Sequence, residues 1–322
     1  MTRIALVLGA GGVVGQAYHA GTLAAITELT GWDPRSAEVV VGTSAGSGAA
    51  ALLRLGLSPS DMRHRACDES LSEEGKRMLN KAPSPAPIGM RPPPATMGQR
   101  RPSAPRLFPR AFARPGSIRP GALAAAAMPE GRIRVDQLGD GIRAMYGERR
   151  WPADTTWICA LRLDEGRRVV FGQEGSPSTD IGSAVQASSA IPGFFAPVEI
   201  NGARYVDGGA HSPTNLDLVA GLGFDLVVVC SPMSAGGGPP SWRAALRAPA
   251  GFLLAREIRT VRSRGSAVLV FQPTAADLAV MGTNAMDFSR RCAVATQAFT
   301  SARDRLAQPH VRDRVASLRD SG

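Results

Sequence analysis

The sequence predicts a single α/β domain, a three-layer α/β/α sandwich with a mainly parallel central sheet. Two apolar stretches each end in a glycine-rich turn that leads straight into a stretch with helical spacing, and this order builds parallel sheets. The stretches are apolar throughout, which is typical of strands buried on both faces. The 322 residues, 44% of them hydrophobic, are enough to bury a large core.

The first two strand–turn–helix units lie at the start of the chain. Residues 4–9 are apolar and end in glycine, and residues 13–29 have helical spacing that Gly31 ends. Residues 38–42 predict a second buried strand, which a short turn joins to an alanine-rich helix through Leu55. Their turns are expected at the same edge of the sheet.

Residues 82–129 interrupt this pattern with many prolines and with arginines that have no acidic neighbours. Such a segment lacks the apolar surface that offsets the entropy of ordering a chain. We therefore predict a flexible Pro/Arg-rich insertion. Of its two candidate roles, a lid or membrane-touching flap over the site and a solvated linker, the composition favours the linker.

Regular structure resumes near Val135 and completes the single domain of residues 1–322. The Asn-Gly pair at Asn201 and the acidic turn at Asp164 each predict a hairpin. These two hairpins span residues 156–172 and 198–206. Two further strands are predicted at residues 224–230 and 267–271, and three further helices at residues 179–190, 240–262 and about 289–322.

Composition narrows the function classes. The net charge of +10 comes almost entirely from arginine, without the interleaved aromatic residues that stack bases, so no nucleic-acid partner is expected. The arginine, alanine, glycine and proline content favours the coding bias of a GC-rich genome as the origin of this charge. Peripheral contact with an anionic lipid surface needs no motif and is favoured over nucleic-acid binding. No run of about 18 apolar residues could span a bilayer. The expected location is the cytoplasm, with peripheral membrane contact.

The cysteines support the same location. Cys67, Cys159, Cys230 and Cys292 are far apart and lack metal-site spacing. We predict that each is a buried thiol in a reducing compartment rather than half of a disulfide.

The first chemical signal is GTSAG at residues 42–46, which places Ser44 on a sharp turn between a predicted strand and helix. Such a turn exposes the serine hydroxyl, and the start of the next helix favours negative charge beside it. Gly42 and Gly46 allow neighbouring segments to pass closely. Ser44 is therefore a candidate nucleophile.

The second signal is GAGGVVG, which begins at Gly9 and ends at Gly15. It favours an oxyanion hole built from the backbone N–H groups of Gly11, Gly12 and Val13. The alternative is a dinucleotide cradle. That reading requires a glycine where Val14 stands and an acidic residue at the end of the second strand, and the sequence has neither.

The third signal is Asp207, which ends a predicted strand and is followed by Gly208 and Gly209. A serine nucleophile needs a base, and histidine is the usual one. His211 follows closely, so a Ser–His–Asp arrangement stays open. His19 falls within the first helix, where a packing role is the better interpretation.

Together these motifs resemble the patatin-like phospholipase family. A fourth motif, ASSAIPGFFAPV at residues 187–198, supports the same resemblance, which covers roughly residues 3–60 and 130–230. It implies a Ser–Asp dyad with Ser44 as nucleophile and Asp207 as general base. The glycine turn would supply the oxyanion hole, with no metal and no cofactor. The implied activity is lipid acyl hydrolysis of the phospholipase A, lysophospholipase or carboxylesterase type.

Two positions depart from the family pattern. Ala10 stands where the family has a third glycine, and Val14 stands where it has a basic residue. The loss of a charge near the oxyanion leaves a different class open, a patatin-like binding or regulatory protein with weak or no turnover.

Overall fold

The computed structural model describes residues 2–81, 101–236, 241–309 and 311. Its centre is one eight-stranded sheet in which the strands β3, β2, β1, β7 and β8 run parallel. The strands β4, β5 and β6 are antiparallel to their neighbours. The strand bounds are β1 Ile4–Leu8, β2 Val39–Thr43, β3 Thr156–Arg162, β4 Arg167–Phe171, β5 Val198–Ile200, β6 Ala203–Asp207, β7 Leu226–Cys230 and β8 Ala267–Phe271.

Helices cover both faces of this sheet, as the sequence predicts. Along β1, Leu6 and Leu8 join one apolar cluster, while Ala5 and Val7 join another on the opposite face. The helix bounds are α1 Gly12–Thr30, α2 Ala45–Leu55, α3 Pro59–Ala66, α4 Glu73–Leu79, α5 Leu107–Ala113, α6 Pro120–Ala127, α7 Asp136–Tyr146, α8 Ile181–Ser188, α9 Trp242–Leu246, α10 Ala248–Ser263, α11 Ala275–Met281 and α12 Arg291–Leu306.

Strand β3 brings the ends of two distant strands together. Strands β2 and β6 pair with the same edge of β3, since β4 occupies its other edge. They approach from opposite ends, so Thr43 of β2 pairs with Cys159, and Asp207 of β6 pairs with the next residue, Ala160. Ser44, which follows Thr43, therefore lies beside Asp207.

The predicted helix over 240–262 is two helices, α9 and α10, and Pro249 stands in the first turn of α10. A proline is favoured there because that position has no intrahelical N–H bond to lose. Among the described helices, none has the length and apolar character to cross a membrane.

The segment predicted as a flexible insertion differs from that expectation over residues 101–129. Its helices α5 and α6 bury Leu107, Ala122 and Ala126 against Leu161 and Val206 of the sheet. Small alanine side chains allow this close packing, so a few apolar residues are enough to order an arginine-rich stretch. Residues 82–100 of the predicted insertion lie outside the described residues.

The prediction of four free thiols is wrong for one pair. Cys67, which ends α3, forms a disulfide with Cys292 in the first turn of α12. Helices α3 and α12 both pack on α1, and this packing brings together two cysteines that are 225 residues apart. Cys159 and Cys230 are free and buried, as expected.

Removal of this disulfide is expected to destabilise the fold. The Cys67→Ala/Cys292→Ala double variant should lose about 2–4 kcal/mol of unfolding free energy, because the link restricts the unfolded chain. Urea unfolding with and without dithiothreitol measures the effect. Dithiothreitol should lower the midpoint for the wild type and leave that of the variant unchanged. Equal midpoints for the wild type in both conditions would contradict the role of the disulfide.

Candidate active site

Ser44 lies on a strained turn between β2 and α2. Its backbone has φ 53° and ψ −118°, a positive φ that costs a non-glycine residue about 1–3 kcal/mol. The turn fits tightly against β1, because a Cβ placed on Gly46 would lie 2.0 Å from the carbonyl oxygen of Leu8. A Cβ on Gly42 would lie 2.7 Å from the carbonyl oxygen of Gly46. The two glycines of GTSAG therefore permit this conformation.

Ser188, at the end of α8, holds the turn in place. The N–H of Ser44 donates to the Ser188 hydroxyl at 2.9 Å, and that hydroxyl donates to the carbonyl oxygen of Cys159 at 2.6 Å. The same end of α8 also reaches Asp207, whose N–H donates to the carbonyl oxygen of Ala190 at 2.9 Å. One helix end thus fixes both candidate residues. The motif at residues 187–198 contains Ser188, but its sequence alone predicts no role for this residue.

The glycine turn before α1 leaves three N–H groups free. The N–H groups of Gly11, Gly12 and Val13 have no acceptor among the described residues, whereas Val14 N donates to Ala285 O and Gly15 N donates to Gly11 O. Gly12 has φ +63°, and a Cβ there would lie 2.6 Å from the Ala285 carbonyl oxygen. These are the three N–H groups that the glycine motif predicts as an oxyanion hole.

The turn adjoins both other motifs. On one side, a Cβ placed on Gly15 would lie 3.6 Å from the Cβ of Ala45, the residue after Ser44. On the other side, a Cβ placed on Gly209 would lie 3.3 Å from the Cβ of Ala10. Gly9 is anchored by its N–H, which donates to the carbonyl oxygen of Cys230 at 2.9 Å. The three motifs therefore converge at one edge of the sheet.

Asp207 is a buried carboxylate that contacts Ser44. Its side chain accepts a hydrogen bond from the N–H of Gly209 at 2.7 Å, and the Ser44 hydroxyl is its other polar neighbour. Burial raises the pKa of Asp207 from 3.8 to about 6, and the interactions with Ser44 and with the N–H of Gly209 offset part of that rise. The tight turn requires Gly208, where a Cβ would lie 2.3 Å from the carbonyl oxygen of Cys159. A carboxylate with this pKa is a competent base near neutral pH.

The two candidate histidines differ in their contacts. His211 has no side-chain hydrogen bond to Ser44, Asp207 or any other described residue, and burial lowers its pKa to about 4. His19 is fully buried, and its Nε2 donates to the carbonyl oxygen of Gly9 at 2.7 Å. Burial also lowers the pKa of His19 to about 4, which keeps the ring neutral. His19 therefore braces the glycine turn, beyond the packing role that its position predicts.

The two departures from the family pattern fit the structure. The backbone of Ala10 does not have a positive φ, so its Cβ meets no backbone strain. Val14 is 2% exposed and packs with Leu278, Met281 and Val294 on α11 and α12. A basic side chain in that apolar cluster would lose its hydration without a charge partner.

Comparison with known proteins gives matches to both sequence and structure. Uncharacterized NTE family proteins of Mycobacterium bovis and Mycobacterium tuberculosis are 32% identical over 112 residues. That match covers 34% of this chain and 29% of theirs, so the chain spans under a third of those relatives.

Two solved structures are also similar. VipD from Legionella pneumophila is 15% identical with a TM-score of 0.43, covering 99% of this chain and 67% of that one. The type III effector protein ExoU is 17% identical with a TM-score of 0.38, covering 98% and 54%.

The family model described as patatin-like phospholipase matches residues 6–220, which hold the glycine turn, GTSAG and Asp207. This match spans more than half of the chain and confirms the resemblance seen in the motifs. The chain therefore belongs to the patatin-like phospholipase family.

Proposed function

We propose that the protein is a serine lipid acyl hydrolase that uses Ser44 and Asp207 as a catalytic dyad. The observation that carries the proposal is the contact between the Ser44 hydroxyl and a buried Asp207 carboxylate whose pKa is raised to about 6. A base with this pKa remains ionised at neutral pH and still has substantial affinity for a proton. The substrate class is a lipid with an acyl ester bond.

The reaction needs two acyl transfers. Ser44 Oγ attacks the ester carbonyl carbon while Asp207 takes the hydroxyl proton, and the N–H groups of Gly11, Gly12 and Val13 stabilise the resulting oxyanion. Cleavage of the C–O bond releases the alcohol, which takes the proton from Asp207, and leaves an acyl ester on Ser44. Water then attacks this ester, Asp207 accepts its proton, and that proton returns to Ser44 as the fatty acid leaves.

Two alternative functions are less well supported by the contacts of the site. A Ser–His–Asp esterase requires His211 to touch both partners, and the contacts of Asp207 with Ser44 and Gly209 favour the dyad instead. A regulatory protein without turnover is motivated by Val14. The three free N–H groups of the glycine turn favour a working enzyme, because those donors are backbone atoms that Val14 does not remove.

The test is fluorophosphonate labelling followed by a substrate screen. We expect a fluorophosphonate probe to label Ser44, identified by mass spectrometry of the tryptic peptides. Incubation with a panel of phospholipids, lysophospholipids and neutral glycerides should release fatty acid from at least one class. A protein that stays unlabelled and inactive on the whole panel would show that the fold has lost turnover.

Ser188 is expected to act as a positioning residue in this mechanism. Ser188→Ala removes the acceptor of the Ser44 N–H and the donor to the Cys159 carbonyl, so the strained turn can relax. We expect kcat on p-nitrophenyl butyrate to fall about 10- to 100-fold with little change in KM, since small displacements of a nucleophile cost that much.

The adjacent Ser189 provides the matched control, because its hydroxyl has no hydrogen bond to a described residue. Ser189→Ala should keep a wild-type kcat. A fall in melting temperature of Ser188→Ala without a fall in kcat would assign Ser188 to stability alone.

A further inference from the structure

An exposed apolar surface lies at the same edge of the sheet as the candidate active site. Trp242 and Leu246 on α9 and Phe252 on α10 are 58%, 68% and 68% exposed. Trp242 and Leu246 are four residues apart and so share one face of α9. We call these three residues the docking surface. Large apolar side chains exposed together in this way indicate a binding partner.

The inner side of α9 fixes the docking surface next to the glycine turn. Ala244 packs against the cluster that contains Val14 in the first turn of α1. Arg247 donates to the carbonyl oxygen of Pro232, and the Cβ of Pro232 would lie 2.9 Å from a Cβ placed on Gly11. A partner bound to the docking surface would therefore lie beside the proposed oxyanion hole.

The charge around the docking surface identifies the partner as anionic. Between residues 241 and 259 the sequence has four arginines and a single acidic residue, Glu257. The Glu257 carboxylate is buried and accepts hydrogen bonds from Ser212, Thr214 and Leu216. None of these four arginines forms an ion pair with a described acidic residue; they are Arg243, Arg247, Arg256 and Arg259.

The side chains also fit one kind of anionic partner better than others. Trp242 carries the guanidinium of Arg243 over its ring, 4.7 Å from the ring centroid, so an apolar plane and a cation are presented together. Tryptophan and arginine in this combination match the boundary between lipid headgroups and acyl chains. Leu246 and Phe252 have no polar atoms to recognise a nucleic acid and are suited to the acyl region.

We propose that the docking surface, with the exposed arginines of α10, binds the surface of an anionic lipid bilayer. Trp242, Leu246 and Phe252 enter the boundary region while Arg256 and Arg259 contact lipid phosphates. This inference rests on the proposed function in one respect: the bilayer is the source of the acyl ester that Ser44 attacks. It makes the bilayer the place where lipid substrates are hydrolysed, while a dispersed ester such as p-nitrophenyl butyrate reaches Ser44 without docking.

The test separates binding from catalysis. Binding to vesicles of phosphatidylglycerol and phosphatidylcholine is measured by co-sedimentation in a Ser44→Ala background, so that no lipid is hydrolysed. Trp242→Ser/Leu246→Ser should weaken binding at least about tenfold, given the free energy of burying two such side chains. Arg256→Gln/Arg259→Gln provides a second variant whose substitutions lie at exposed positions.

The matched control is Leu222→Ser. Leu222 is 42% exposed, and its carbonyl oxygen accepts from Arg3, which precedes β1 and so lies at the opposite edge of the sheet. This variant should bind vesicles like its parent. Vesicles of phosphatidylcholine alone, or high salt, should bind the parent weakly because the arginines lose their attraction.

Three results would overturn the proposal: equal vesicle binding by the docking variants and the parent, no preference for anionic vesicles, or a dimer in analytical ultracentrifugation that Trp242→Ser/Leu246→Ser dissociates. The last result would assign the surface to a second copy of the chain. Turnover of p-nitrophenyl butyrate by the otherwise wild-type Trp242→Ser/Leu246→Ser protein is measured separately. Loss of vesicle binding with retained turnover supports docking, and absence of turnover in the wild type counts only against the proposed function.

Discussion

Ser44→Ala is expected to lower kcat/KM for p-nitrophenyl esters by at least about 10⁴-fold while the protein remains folded. The Ser44 hydroxyl is the atom that would carry the acyl group, so its removal prevents the covalent intermediate. The free N–H groups of the glycine turn remain and leave some stabilisation for direct attack by water. The fluorophosphonate label should disappear together with the activity.

The fold of this variant should survive because the turn is held by its backbone. The N–H of residue 44 still donates to the Ser188 hydroxyl after the substitution. The positive φ disfavours alanine about as much as serine, so little stability is lost at this position. A melting temperature near that of the wild type checks the fold. A Ser44→Ala protein that is folded and still hydrolyses the ester at the wild-type rate would contradict the proposed Ser44–Asp207 dyad.

The sequence predicts the first half of the site well because its signals are local. The order of β1, the glycine turn and α1 can be inferred from a run of apolar residues, glycines and helical spacing. The same holds for β2, Ser44 and α2. Parallel strands deliver these turns to one edge, so their meeting follows from general rules of α/β folds.

The contact between Ser44 and Asp207 depends on how distant strands are aligned along β3. No short sequence pattern encodes that alignment. It depends on β6 pairing antiparallel with the edge of β3 that β2 also uses, one residue beyond the end of β2. Only the family resemblance pointed to this pair. The bracing roles of Ser188 and His19 depend on single hydrogen bonds between distant elements and were missed for the same reason.

Two of the expectations that the structure changes have related causes. The composition of the α5–α6 segment alone predicts no folded structure, whereas its alanines pack on side chains that the sheet supplies. The separation of Cys67 and Cys292 by 225 residues predicts two free thiols, whereas α3 and α12 share α1 as a packing partner. In both cases tertiary packing decides what local composition cannot.

Asp207→Asn is expected to lower kcat by about 10³-fold, since the amide cannot accept the proton of Ser44. The substitution keeps the size of the side chain, and its oxygen can still accept from the N–H of Gly209. Asp207→Asn should therefore fold normally. Turnover of p-nitrophenyl butyrate measures the loss, and full activity in this variant would remove Asp207 from the mechanism.

Stability against pH gives an independent check on the environment of Asp207. Its pKa is raised in the folded state, so its contribution to stability is present below the ordinary value of 3.8 and is lost as the pH rises through about 6. Asparagine does not ionise and avoids this loss, which is worth about 3 kcal/mol. The melting temperature of Asp207→Asn should rise relative to that of the wild type as the pH is raised across this interval.

The pH dependence of kcat/KM distinguishes Asp207 from His211 as the base. The base must be deprotonated, so activity that depends on Asp207 falls as the pH drops below about 6. A His211 base would instead lose activity only near its lowered pKa of about 4. His211→Ala should retain the acid limb near 6 and most of the activity. An acid limb near 4 that disappears in His211→Ala would transfer the role of base to the histidine, because a carboxylate buried against Ser44 would titrate at the higher pH.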